Sequence, residues 1–386
     1  MRHDAPASPA HVTLALCGDV MTGRGIDQAL PHPGDPAIYE PFMRSALDYV
    51  ALAERVNGPI PRPVDPAYLW GDALPLLERE APDARLINLE TAVTTSATPW
   101  PDKGITYRMH PANLPCLTVA RVDCCVLANN HTLDWGRAGL CETLRSMREA
   151  GMRTVGAGLD RVEAAAPAEF GWPGRGRVLV WAWGLPSSGI PFSWAATAER
   201  AGVNLLEDLS PRSLAHVAEQ IRATRQSGDR VVVSLHWGGN WGYAIPPEHR
   251  DFARQLISVA GVDLVYGHSS HHPLGMEVYQ ERLILYGCGD LINDYEGIVG
   301  YEEYRPDLGV IILATLAADG RLARGRLLPF RRRRFRLWCA THDEAAWLAR
   351  RLSRVSRQGG VTLELQADAT LELRWRWGGV EPIPCQ

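Results

Sequence analysis

Five apolar runs in this chain each stop abruptly on a short polar motif. They are VTLALCGD (residues 12–19), ARLINLE (84–90), VDCCVLANNH (122–131), RVVVSLHWG (230–238) and VDLVYGH (262–268). Such runs, bounded by Gly, Asn or Asp and separated by helical periodicity, predict buried strands alternating with helices, an α/β architecture. After His131, which ends the third run, the residues Leu140, Leu144 and Met147 recur at i, i+4 and i+7. That stripe predicts a helix capped by Asp134 and stopped at Gly151. A second helix is expected from Ser210-Pro211 to about Gly228 on the stripe Leu214, Val217 and Ile221. A third is expected from Pro246-Pro247 to Gly261, with Phe252, Leu256 and Ile257 inward. Strands RLILYGCGD and GVIILATL follow, and Asp319-Gly320 marks a hairpin turn into RLARGRLLPF.

Two irregular stretches interrupt this alternation. One runs from about Met21 to Tyr68 and holds a helix around Phe42 to Arg55; the other, Thr91 to Pro111, precedes a short helix from Ala112 to Ala120. From Thr341 the texture changes to an Ala/Arg-rich helix (AAWLARRLSRVSRQ), Gly359-Gly360, and VTLELQADATLELRW. Residues 11–340 are therefore expected to form the main domain, and 341–386 a helix-plus-hairpin appendage too short to hold a core of its own.

Ligands in α/β folds bind beyond the carboxyl ends of the strands. The polar motifs thus bring Asp19, Glu90, Asn130, His131, His236, His268 and His271 toward one rim. Carboxylate, amide oxygen and imidazole together suit Zn, Mn or Fe. Each residue alone has a plainer reading, Asp19 as a turn residue and His236 as a core histidine, but the set together points to metal. His131 is the candidate proton donor, its ring near its free pKa and oriented by Asp134 if that residue is not spent on capping. Arg24, Lys103 and Arg108, in loops after the first two motifs, either recognise an anion or are ordinary surface charge. Tyr107 and Trp135 either wall the pocket or pack.

Composition narrows the class. With 46% hydrophobic and 22% charged residues the chain is neither disordered nor membrane-spanning, and no segment approaches the roughly 18 apolar residues of a membrane helix. A net charge of -4 gives no general pull toward nucleic acid. The run Arg331 to Arg334 is expected at a solvated strand edge or substrate rim. Eight scattered cysteines without CxxC spacing, and no leader-like N-terminus, fit a reducing cytoplasmic setting without an anchor.

At these motifs, and at ANNHTLDWGRAGLCETL, LHWG and GHSSHHPLGMEVYQERLILYG, the chain resembles the CapA/PgsA family of poly-γ-glutamate capsule synthesis proteins, a branch of the calcineurin-like metallophosphoesterases. The resemblance implies a four-layer α/β/β/α sandwich and two divalent metal ions. It puts Asp19 and His271 on one metal, Glu90 between the two, Asn130, His236 and His268 on the second, and His131 by the leaving group. The implied function is a metal-dependent hydrolase of an anionic small molecule or polymer, through a water activated by both metals. The substrate would be a γ-glutamyl or related amide, or a phosphoester. The alternative is a non-catalytic accessory of capsule synthesis. Four positions depart from the pattern: Met21 where a histidine ligand is usual, Ser270, Asn240, and Cys288-Gly289-Asp290-Leu291.

Overall fold

The computed structural model describes residues 11–375, a mixed α/β protein built on two mixed sheets. In the larger sheet the strand Val12–Val20 is central. It runs parallel to Ala84–Leu89 and antiparallel to Leu308–Leu316. Beyond Ala84–Leu89 lie Cys124–Val126 and Arg153–Val155; beyond Leu308–Leu316 lie Leu322–Arg333 and then the hairpin Leu371–Trp375 and Val361–Leu365. The short strand Asp290–Ile292 pairs in parallel with the end of Val12–Val20. In the second sheet four parallel strands, Gly176–Gly184, Arg230–His236, Leu264–His268 and Arg282–Leu285, are flanked by antiparallel edges.

Side chains on a strand alternate between faces, and this divides the core in two. Val178, Val180 and Ala182 join the core of the larger sheet, whereas Leu179, Trp181 and Trp183 turn away from it. The latter pack with Leu214, Val217 and Ile221 of the helix Pro211–Thr224 and with Phe252, Leu256 and Ile257 of Pro247–Ser258. A strand covered on both faces needs no polar alternation, which is why RVVVSL reads as one apolar run. Tyr266 links the sheets: its hydroxyl donates to the carbonyl of Cys17, on the central strand of the other sheet.

Most predicted elements lie where the pattern put them, with local differences. The helix expected over 112–120 is split into a 3-10 turn, Pro111–Asn113, and Pro115–Thr118, because Pro115 fits only a first helical turn. The insertion helix starts at Ala46, not Phe42, since Ser45 and Asp48 form a capping box there. The helix His342–Val355 buries Ala345, Leu348 and Leu352 in the main core, and Leu371–Trp375 pairs with Leu322–Arg333. The last part of the predicted appendage, 376–386, lies outside the described residues. Among those residues no helix is long and apolar enough to cross a membrane.

Candidate metal centre

Strand register brings the polar motifs together. Asp19 is paired with Asp290 on one side and Asn88 on the other, and the Glu90 N–H donates to the Val20 carbonyl at 3.1 Å. In the second sheet His236 is paired with His268. Gly18 allows the tightest of these approaches: a Cβ there would stand 1.7 Å from the Gly289 carbonyl oxygen. Gly289 itself has φ +73°, where a side chain is strained.

Asp19, Glu90, His271 and Asp290 each present a ligand atom, all within 4.8 Å of one another. Asp290 is held by a 3.0 Å contact with His271 Nδ1 and a 2.7 Å hydrogen bond from Asn293. Asn88 donates to Asp19 at 2.8 Å, and His268 Nδ1 lies 3.2 Å from the same oxygen. Two buried atoms in this region, Asp19 Oδ2 and His268 Nε2, have no hydrogen-bond partner. Buried polar atoms are rarely left so, and carboxylate oxygen and imidazole nitrogen are both atom types that can ligate a metal. Next to this cluster, His236 Nε2 lies 3.1 Å from Asn130 Oδ1 and 3.9 Å from Glu90 Oε1. Glu90 thus borders both groups. Oxygen and imidazole donors without thiolate fit a divalent Zn, Mn or Fe.

Electrostatics agree with that fit. Burial, then the charges of Asp19 and Asp290, push Glu90 well above the ordinary carboxylate range. Asp19 is raised by burial, but its contacts with His268 and the charge of His236 outweigh this and bring it to about 2. Burial holds His236 down at about 3, while His271 is raised because Asp290 overcomes its burial. Three carboxylates this close repel one another, and a divalent cation among them removes the repulsion.

His131 presents Nε2 to this group, 4.0 Å from Glu90 Oε1. Its ring stacks on Tyr107, centroids 3.9 Å apart, and its Nδ1 meets Asp134 Oδ2 at 2.7 Å. Asp134 is not a helix cap. The helix Gly136–Glu149 follows Trp135 with no side-chain cap. Asp134 instead accepts from the Tyr107 N–H at 2.6 Å, and its other oxygen lies 3.0 Å from Lys103 Nζ, an ion contact without hydrogen-bond alignment. Nor is His131 near its free value: burial, only partly offset by Asp134, lowers it to about 4.

The expected anion-binding set does not assemble. Arg24 is buried and spent on Asp294 and Glu40, with its guanidinium 3.4 Å above the Tyr49 ring. Arg108 donates to the Ser96 and Asp35 carbonyls and lies over Trp135. Only Lys103 keeps access to the rim, lining a hollow of about 350 Å³ with Tyr39 and Trp100. The arginine run is not a solvated edge throughout. Arg332 is buried and donates to the carbonyls of Asp290, Leu291, Pro306 and Leu308, which pins the segment carrying Asp290.

Asp290 is the group that the motif reading passed over. Its signal was present: Cys288-Gly289-Asp290 repeats Cys17-Gly18-Asp19, again at the end of an apolar run. Asn88 and Tyr295, whose hydroxyl meets that of Tyr107 at 2.7 Å, were also passed over. Among the departures, Met21 is buried, and Asp290 supplies a ligand atom to the cluster where a second histidine was expected. Asn240 acts through its backbone, its carbonyl accepting from the His271 N–H at 3.0 Å. Ser270 is buried, with its hydroxyl unpartnered.

Comparison with known proteins gives this geometry a family. The chain is 47% identical over 368 residues to a probable polyglutamine synthesis accessory protein of Mycobacterium tuberculosis, covering 95% of this chain and 97% of that one. It is 22% identical over 283 residues to the capsule biosynthesis protein CapA of Bacillus anthracis, covering 73% and 60%. Among solved structures, a 5'-nucleotidase precursor from Thermus thermophilus aligns with a TM-score of 0.39 and 15% identity, over 86% of this chain and 55% of that one. Residues 13–295 match the family described as bacterial capsule synthesis protein PGA_cap, and the chain belongs to that family.

Proposed function

We propose that the chain is a metal-dependent hydrolase of the CapA type acting on an anionic substrate. The observation that carries this reading is the group of Asp19, Glu90, His271 and Asp290, four ligand atoms within 4.8 Å supplied by separate segments. In this reading Asp19, His271 and Asp290 would hold one divalent ion and Asn130, His236 and His268 a second, with Glu90 bordering both groups. A divalent pair bound there would supply a water that is nucleophilic at neutral pH and charge to offset a developing oxyanion. The architecture is read as a four-layer α/β/β/α sandwich of metallophosphoesterase type over residues 11–340, with 341–386 as its appendage. The described cysteines are all unpaired, which supports a reducing cytoplasmic setting.

His131 is the residue of this chain placed to handle a proton. Asp134 takes the Nδ1 hydrogen, so Nε2 faces Glu90 with a free lone pair and can hold a hydrogen of the attacking water or of the substrate. Lys103 holds Asp134 from the solvent side and offers the rim a positive charge. The family relation favours a γ-glutamyl or related amide as substrate; the metal chemistry equally serves a phosphoester. The mycobacterial relative is described as a probable accessory protein of polyglutamine synthesis, which keeps a non-catalytic role as the second reading.

Elemental mass spectrometry of the purified protein tests the proposal. Two metals per chain are expected, with Asp290→Ala and His236→Ala each losing at least one. A protein that takes up no Zn, Mn or Fe sinks the hydrolase reading. Hydrolysis of neither glutamyl peptides nor phosphoesters by the loaded enzyme, with unchanged cellular function in His131→Ala, would favour the accessory role.

A further inference from the structure

Two of the histidines around the metal centre are each held by an acid that also fixes a tyrosine. Asp134 Oδ2 meets His131 Nδ1 at 2.7 Å and accepts from the Tyr107 N–H at 2.6 Å. The Tyr107 ring folds back and stacks on His131, centroids 3.9 Å apart. Asp290 repeats this arrangement with one residue interposed. It meets His271 Nδ1 at 3.0 Å and accepts from Asn293, whose side-chain oxygen accepts from the Tyr295 N–H at 3.2 Å. The Tyr295 ring stands edge-on to His271, centroids 5.3 Å apart and planes at 89°. The two tyrosines are 188 residues apart in the chain, yet their hydroxyls meet at 2.7 Å. Among the described residues no other hydrogen bond joins the two assemblies. Glu90, at 4.0 Å from His131 Nε2, is too far to make one.

We propose that the Tyr107–Tyr295 hydroxyl pair is a positioning bridge, which holds the His131 ring in a fixed place against the His271 side of the metal centre. Two phenylalanines would give the same stacking and edge contacts, so packing alone does not call for the hydroxyls. The buried Tyr107 hydroxyl would be a cost without a partner, and Tyr295 is the partner it has. A hydrogen bond is directional, whereas stacked rings can slide. Arg24 backs the link: its buried guanidinium, fixed by Asp294 and Glu40, lies over both rings, 4.9 Å from the Tyr107 centroid and 5.6 Å from that of Tyr295. One cation thus attracts both rings. Groups that act on a substrate need to be held within about 0.5 Å of their working geometry, and the bridge ties the residue placed to handle a proton to the acid and histidine of the metal cluster. That His131 handles a proton rests on the hydrolase reading; the bridge itself does not.

The test reads His131 without turnover. Diethyl pyrocarbonate is applied at neutral pH to the full chain stripped of metal, and peptide mass spectrometry follows carbethoxylation of His131. Tyr295 bonds to neither His131 nor Asp134, yet Tyr295→Phe is expected to speed this labelling about threefold to tenfold, the weight of one hydrogen bond. Tyr107→Phe is expected to give the same rise, and the double variant no more than either, since each removes the same bond. Tyr107→Ala, which removes the stack as well, marks the upper limit. His249, buried against Trp237, is the internal reference and is expected to keep its wild-type rate. Wild-type labelling in Tyr295→Phe, additive single variants, or an equal rise at His249 overturns the bridge. With Zn or Mn bound, both phenylalanine variants are expected to lower kcat on bis(p-nitrophenyl) phosphate or γ-glutamyl p-nitroanilide with KM near that of wild type. Unchanged kcat in an active enzyme overturns the positioning role. A wild-type chain that cleaves neither compound, with the labelling pattern intact, would overturn the hydrolase reading and leave the bridge standing.

Discussion

Asp290 and Asp134 show how much one side chain's surroundings decide. Each is an acid beside a strand or helix end, where a turn or capping role is the ordinary expectation. Asp290 instead lies between His271 and Asn293 in a cluster of ligand atoms. Asp134 fixes the His131 ring and the Tyr107 backbone together. Asp134→Asn keeps the shape but loses the charge that orients Nδ1. It is expected to retain metal while turnover falls about 100-fold or more. Steady-state kinetics beside metal analysis checks this; unchanged turnover with lowered stability would return Asp134 to a purely structural role.

At the scale of elements, the site depends on two strands approaching closer than side chains permit. Asp19 and Asp290 stand side by side because Gly18 faces the Gly289 carbonyl. Gly18→Ala must push the Asp290–Ile292 strand away, and overpacking of this kind costs about 1–3 kcal/mol. A lower denaturant midpoint and loss of metal are expected together. Gly104→Ala, with nothing within 4 Å of the added Cβ, is the neutral counterpart. If both variants unfold at the wild-type midpoint, the close approach is not a constraint. Arg332 works at the same scale from the other side, holding four carbonyls around the Asp290 segment.

Over the whole molecule, the C-terminal hairpin and helix are tied into the larger sheet. A chain ending at Ala340 would strip Leu371–Trp375 from one edge of Leu322–Arg333 and uncover the core that Leu348 and Leu352 close. Exposed edge strands pair with other chains, so aggregated protein without a cooperative melt is expected. A soluble truncated chain with a sharp transition would show that 11–340 folds alone. Acid acts on the molecule as a whole too. His236 is held at about 3, His131 and His272 at about 4, in each case chiefly by burial. Below about pH 6.5 the unfolded chain takes up protons at these rings and the folded chain does not, so stability falls with pH. His271, raised by Asp290, and Glu90, raised by burial, oppose this, two groups against the three rings and His249, which burial also lowers. For metal-free protein the thermal midpoint should be lower at pH 5 than at pH 7.5; an equal or higher midpoint would contradict the burial of neutral rings.

The apolar runs and helical stripes were enough to place the strands, the helix Pro211–Thr224 and the polar motifs at strand ends, because burial on one or both faces imposes its period on the sequence. Residue type at those ends was enough to indicate metal chemistry. What remained was decided by contact between distant segments. Nothing local distinguishes Arg24 from a surface arginine until Glu40 and Asp294 close on it, 16 and 270 residues away. Nothing in the Arg331–Arg334 run marks Arg332 as the buried one until four carbonyls turn toward it. Asp290 is a ligand candidate only because a parallel register sets it beside Asp19. Periodicity records which face of an element is covered; only the tertiary structure decides what covers it, because the covering groups come from elsewhere in the chain.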